Sequence, residues 1–139
     1  MASLVSQREV DEATFAALEA SSPEVAQLRA LRGVFAAIDS IRTTLGLDVE
    51  EALLYLGIGY LNTERIQHLG ARGYIAATNI SSVADFMNLP RETARRKIKR
   101  LVELGLVERS SGLVIADVAR WFSFVDQIPL ATQTDPARR

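Results

Sequence analysis

Seven of the chain's 16 lysines and arginines fall between Arg91 and Arg109, in a protein whose formal net charge is −1. The densest part reads Arg91-Glu92-Thr93-Ala94-Arg95-Arg96-Lys97-Ile98-Lys99-Arg100. At about 100° per helical residue, Ile98 and Leu101 lie within about 40° of Ala94 and form a stripe to be buried. Glu92, Arg95, Arg96 and Lys99 gather on the opposite side, with Arg91 at the N-terminal edge of that face and Thr93, Lys97 and Arg100 on the other flank. A guanidinium is a fork that matches N7 and O6 of guanine, and a carboxylate accepts from N4 of cytosine. Arg91, Glu92, Arg95 and Arg96 are therefore candidate readers of base edges. Lys97, Lys99 and Arg100 are candidates to neutralise phosphates, which gives affinity without sequence information. Ser82, Arg109, Ser110 and Ser111 lie close by in sequence: Ser82 is a further candidate phosphate contact, and the other three mark a turn able to touch the same partner. The plainer alternative is a solvated helix face.

These residues need elements to hold them. Ser81 or Ser82 is expected to cap a short helix, Val83–Met87, closed by Asn88-Leu89-Pro90. A second helix is expected from Arg91 to Leu104, stopped by Gly105. Two β-prone runs, Leu106–Arg109 and Leu113–Ile115, flank Ser110-Ser111-Gly112 and predict a hairpin. Asp117 is placed to cap a last helix, Val118–Val125. Helix, tight turn, helix and two-stranded wing is the order of a winged helix-turn-helix.

The run Asn88-Leu89-Pro90-Arg91-Glu92-Thr93-Ala94-Arg95-Arg96, followed by Leu101 and Gly105-Leu106-Val107, resembles the recognition helix of Crp/Fnr-type regulators. Val114-Ile115-Ala116-Asp117 is similar to that family's closing wing strand. The resemblance implies that Arg91, Glu92 and Arg96 read base edges in the major groove while Thr93 touches phosphate. It covers roughly residues 75–125. Pro90 departs from the family's usual Ser, and Arg95 from its usual small residue. Upstream the chain has neither the length nor the strands for that family's β-roll. Its small helical architecture resembles instead the dimerising framework of MarR-like regulators.

Upstream, Ser22-Pro23 reads as a helix start, and Leu28, Leu31, Phe35, Ile38, Ile41 and Leu45 recur at helical spacing up to Gly46. Most of that stripe is expected to pack internally, with the remainder available as a dimer seam. Val10, Phe15 and Leu18 suggest a shorter helix before it. Asp48 begins another through Ala52, Leu53 and Leu56, although Gly57 and Gly59 weaken its expected continuity. Gly70 and Gly73 mark a break.

Composition narrows the rest. Residues 1–50 hold eight acids and four bases, and residues 91–139 hold six acids and ten bases, so an acidic half precedes a basic one. The absence of Cys removes disulfides, thiolate metal sites and cysteine nucleophiles, and favours the cytoplasm. No apolar run reaches membrane-spanning length, and the first residues lack the pattern of a signal peptide. His68 is the single histidine, with no second ligand or carboxylate pair beside it. Glu50 and Glu51 are expected to be partners of a helix N-terminus. Gly57-Ile58-Gly59-Tyr60 lacks the third glycine and the preceding strand of a phosphate loop. Trp121 and Phe122 are expected in the core. No cofactor, metal or enzyme chemistry is expected.

The reading is a mainly α chain with a small β-wing: a helical dimerisation region over 1–70, a winged helix-turn-helix over 71–128 and a tail over 129–139. The expected partner is double-stranded DNA with a palindromic operator, bound by a homodimer acting in transcription regulation. The alternative is a winged-helix protein-interaction module without direct DNA readout. No membrane association is expected, and the sequence names no small-molecule effector.

Overall fold

The computed structural model describes residues 22–69 and 75–129, with side chains beyond Glu64 in the first stretch left aside. The chain is mainly helical, with five helices and one two-stranded antiparallel sheet among the described residues. The short helix expected around Val10–Leu18, the Gly70–Gly73 break, the side chain of His68 and the tail from residue 130 lie outside that description.

Helix α1, Pro23–Leu45, begins where Ser22 Oγ accepts from the Val25 N–H at 3.5 Å and Pro23 takes the first helical position. It ends at Gly46, whose φ of +68° lets the Leu47 N–H return to Arg42 O at 3.1 Å and tucks Leu47 into the core. Its stripe divides. Ile41 is fully buried, with Ile38 and Leu45 packed beside the core. Leu28, Leu31 and Phe35 remain 59%, 51% and 64% exposed, so the expected internal packing fails for the first half of the stripe.

Helix α2, Val49–Leu69, opens on a reciprocal cap: Glu51 N–H donates to Asp48 Oδ1 at 2.8 Å, and Asp48 N–H donates to Glu51 Oε1 at 2.9 Å. Gly57 and Gly59, which weaken its expected continuity, do not interrupt it. They are places of close approach: a Cβ at Gly59 would overlap the Trp121 indole, and one at Gly57 would press on Met87 Sδ.

Helix α3, Ile80–Met87, is capped by Asn79 rather than by either serine. Asn79 is extended and its side chain accepts from the Ser82 N–H at 2.9 Å, which puts Ser81 and Ser82 inside the first turn. Asn88, in the left-handed region at φ +53°, turns the chain toward Pro90. Helix α4, Arg91–Glu103, follows and stops at Gly105, φ +76°. Strands β1, Val107–Arg109, and β2, Leu113–Ile115, pair with Val107 opposite Ile115 and Arg109 opposite Leu113. Helix α5, Val118–Val125, is capped by Asp117, which accepts from the Arg120 N–H at 3.0 Å.

Residues Ala37–Asp126 form one compact unit, and the described residues 22–36 and 127–129 belong to another. The division at residue 70 therefore does not separate a helical region from the remainder, because α2 supplies the centre of the larger unit's core. Leu54, Tyr55 and Ile58 from α2 are buried with Val83 of α3, Ala94, Ile98 and Leu101 of α4, Val107, Leu113 and Ile115 of the hairpin, and Trp121 and Phe124 of α5. Trp121 Nε1 donates to Tyr55 O at 3.2 Å. Phe122 was expected in this core but is exposed, edge-on to Trp121, because it lies one residue off the buried face of α5.

Asn62 is a buried polar side chain in this core, and all its groups are engaged. Its Nδ2 donates to Ala76 O at 2.9 Å and Leu113 O at 3.0 Å, and its Oδ1 accepts from the Ile115 N–H at 2.9 Å. The amide thus ties β2 to α2. In the other unit, Gly33 lets α1 meet the chain at Gln127–Pro129, where any Cβ would collide with backbone. No described helix is long and apolar enough to cross a membrane.

Candidate nucleic-acid interface

Helix α4 has two distinct sides. Ala94, Ile98 and Leu101 are completely buried, which fixes the helix's rotation and leaves Arg91, Glu92, Arg95, Arg96, Lys99 and Arg100 exposed. The expected faces are therefore present, with Pro90 starting the helix without a side-chain cap.

The exposed charges are not all free. Arg95 Nε donates to Glu92 Oε2 at 3.0 Å and its Nη2 reaches Glu92 Oε1, a bidentate pair one turn apart. The hydrogen bond and charge of Arg95 hold the Glu92 carboxyl below its usual value, and Glu92 raises Arg95 in return. Both are fully solvated, so water screens the pair. By contrast, Arg91, Arg96, Lys99 and Arg109 form no ion pair among the described residues.

The flank toward α2 is different. Lys97 Nζ lies 2.9 Å from Asp48 Oδ2 and 3.3 Å from Glu50 Oε1, with its side chain only 17% exposed. Its hydrogen bond to Asp48 raises its pKa above the usual lysine value. Asp48 is drawn upward by desolvation, but the Glu51 N–H and Lys97 outweigh this and hold it below the usual carboxylate range. Arg100 Nη1 pairs with the buried Glu51 at 3.2 Å. Two of the expected phosphate contacts thus have protein partners already. Sequence reasoning missed those partners: it took Glu50 and Glu51 as helix-terminus charges only. The local signal was Asp48-x-x-Glu51, the spacing of a reciprocal cap, which marks where an acidic first turn must stand.

Two clefts flank α4. One, of about 360 Å³, is lined by Asn79, Ile80, Ser81, Arg91, Arg109, Gly112 and Leu113, and brings the start of α4 and the end of β1 around one space. The other, of about 490 Å³, lies along Arg96, Lys97, Lys99 and Arg100 and is bounded by Glu51 and Glu103. Thr93 is half-buried on the α2 flank, and Ser82 is exposed in the first turn of α3. Ser110 and Ser111 are exposed at the hairpin tip, where the Ser110 N–H donates to Gly112 O at 3.1 Å. Among the described residues no group of three or more His, Asp or Glu side chains is placed to hold a metal ion. No protein-family model, curated protein or solved structure matches this chain.

Proposed function

We propose that α3, the Asn88–Pro90 turn, α4 and the β1–β2 hairpin form a winged helix-turn-helix, and that the chain is a sequence-specific DNA-binding transcriptional regulator. The observation that carries this reading is the polarity of α4. A helix buried along Ala94, Ile98 and Leu101 holds Glu92, Arg95 and Arg96 outward in a fixed orientation, with Arg91 exposed at its start beside the hairpin cleft. Forked donors on a rigid helix are what readout of base edges in a major groove requires. The unpaired Lys99 and Arg109 supply backbone attraction on either side, and the resemblance of Asn88–Arg96 to a Crp/Fnr-type recognition helix points the same way.

The working unit in this proposal is a homodimer. Leu28, Leu31 and Phe35 present apolar surface on one side of α1 while Gly33 packs on the other, and a second copy would cover that surface. A two-fold pair of α4 helices about 34 Å apart would read a palindrome.

Enrichment of duplexes from a random-sequence pool tests the proposal, with an enriched palindromic site as the expected result. Retention of no duplex at low salt would overturn it. A second reading, a winged-helix protein-interaction module, draws on the exposed stack of Tyr60 on Phe86, whose ring centroids lie 5.2 Å apart. It predicts failure of the same selection.

A further inference from the structure

The charges around α4 are unevenly distributed about its axis. On the α2 flank stand Lys97 and Arg100 with Asp48, Glu50 and Glu51, two cations against three acids. On the side of the Asn79–Gly112 cleft stand Arg91 and Arg109, and on the outward face Arg96 and Lys99, none of them ion-paired among the described residues. Two of the three acids are held in place. Asp48 and Glu51 cap each other across the first turn of α2, so their carboxylates are fixed before any cation arrives. Isolated surface pairs have little effect because two flexible chains must be ordered together. Here the acidic partner is already ordered, and Lys97 has two carboxylates within 3.3 Å.

We propose that the acidic first turn of α2 is the built-in counter-ion of Lys97 and Arg100. Both are then positioning residues that seat α4 rather than phosphate contacts, and the DNA footprint is displaced toward Arg91, Arg96, Lys99 and Arg109. The inference rests on the DNA-binding reading and deepens it. The five paired groups on the α2 flank sum to −1, and a phosphate drawn into the cleft there by Arg96 and Lys99 must still compete with carboxylates for Lys97 and Arg100. Sequence-independent attraction is thereby withheld from one edge of the reading helix, which raises the relative weight of base contacts.

The test compares the wild type with Lys97→Gln and with the double variant Asp48→Asn, Glu50→Gln, titrating a random-sequence duplex at several salt concentrations. Asn keeps the helix cap, and Glu51 is untouched. Each phosphate contact contributes about 0.9 to the slope of log affinity against log salt, or roughly a threefold change between 50 and 200 mM. Expected are an unchanged slope for Lys97→Gln and a slope steeper by about 0.9 for the double variant, whose Lys97 is released to the backbone. A slope flattened by about 0.9 in Lys97→Gln would overturn the inference while leaving the DNA reading intact. An unchanged slope in a folded double variant would do the same. If the double variant unfolds, the Lys97→Gln slope alone decides. Wild-type protein that binds no duplex overturns the DNA reading, and this inference with it.

Discussion

Gly59 and Trp121 occupy one space: the indole lies where a Cβ on residue 59 would have to stand, and its N–H reaches the Tyr55 carbonyl one turn back along α2. The missing side chain is thus the seat of α5. Gly59→Ala should destabilise the chain. Overpacking against a rigid ring costs about 1–3 kcal/mol, more than the roughly 1 kcal/mol that Ala gains over Gly in a helix. Gly57→Ala meets only the flexible end of Met87, so its net effect should stay within about 1 kcal/mol. Chemical denaturation of both variants checks the contrast, and equal effects would contradict it.

Arg96→Ala should weaken binding to a selected site by about 1–3 kcal/mol and relax preference at one G·C pair. Arg109→Glu should lower affinity for all duplexes, because it reverses charge beside the cleft that also holds Arg91. Titrations on selected and scrambled duplexes separate the two effects. Loss of preference in Arg109→Glu, with none in Arg96→Ala, would reverse the assigned roles.

The Asp48–Lys97 pair has a pH signature. Asp48 is depressed in the folded chain, so its contribution is full above the unfolded carboxylate value near 4 and is lost as pH falls through the lower folded value. Lys97 is raised, so its contribution is full below about 10.4 and fades as pH climbs through the higher folded value. Melting temperature should therefore be flat around neutrality and fall on the acid side, and Lys97→Gln should shrink the acid limb. An acid limb identical in wild type and variant would show that the pair carries none of it.

Wild-type protein should sediment as a dimer at tens of micromolar, and the double variant Leu31→Glu, Phe35→Glu as a folded monomer. Both side chains are exposed, so replacing them removes a seam without opening the core. A wild-type monomer with full affinity for a single half-site would exclude the dimer.

Local signals carried most of the element boundaries. Ser22-Pro23, Asp48, Asp117, Gly46 and Gly105 act on their own turn of helix, so their meaning is contained within a few residues. Asn79 was missed because Ser81 and Ser82 follow it closely and both Asn and Ser cap helices. The continuity of α2 was not legible, since the reason for Gly59 is an indole far along the chain. The helical wheel identified the buried face of α4 but not the neighbour on its flank, which depends on where the first turn of α2 comes to lie. Periodicity likewise marked Leu28, Leu31 and Phe35 as apolar without telling whether this chain covers them.

Asn62 pins the hairpin at both ends of β2. Leu113, the first residue after the turn, has its carbonyl held by Asn62 Nδ2 and by the Thr78 N–H, and its own N–H donates to Thr78 O. The Ile115 N–H donates to Asn62 Oδ1, so the turn at residues 110–112 leaves from an anchored strand. Through Asn62 the hairpin is tied to α2, the helix whose first turn also holds Lys97 and Arg100. One helix therefore supports both the hairpin and the flank of α4.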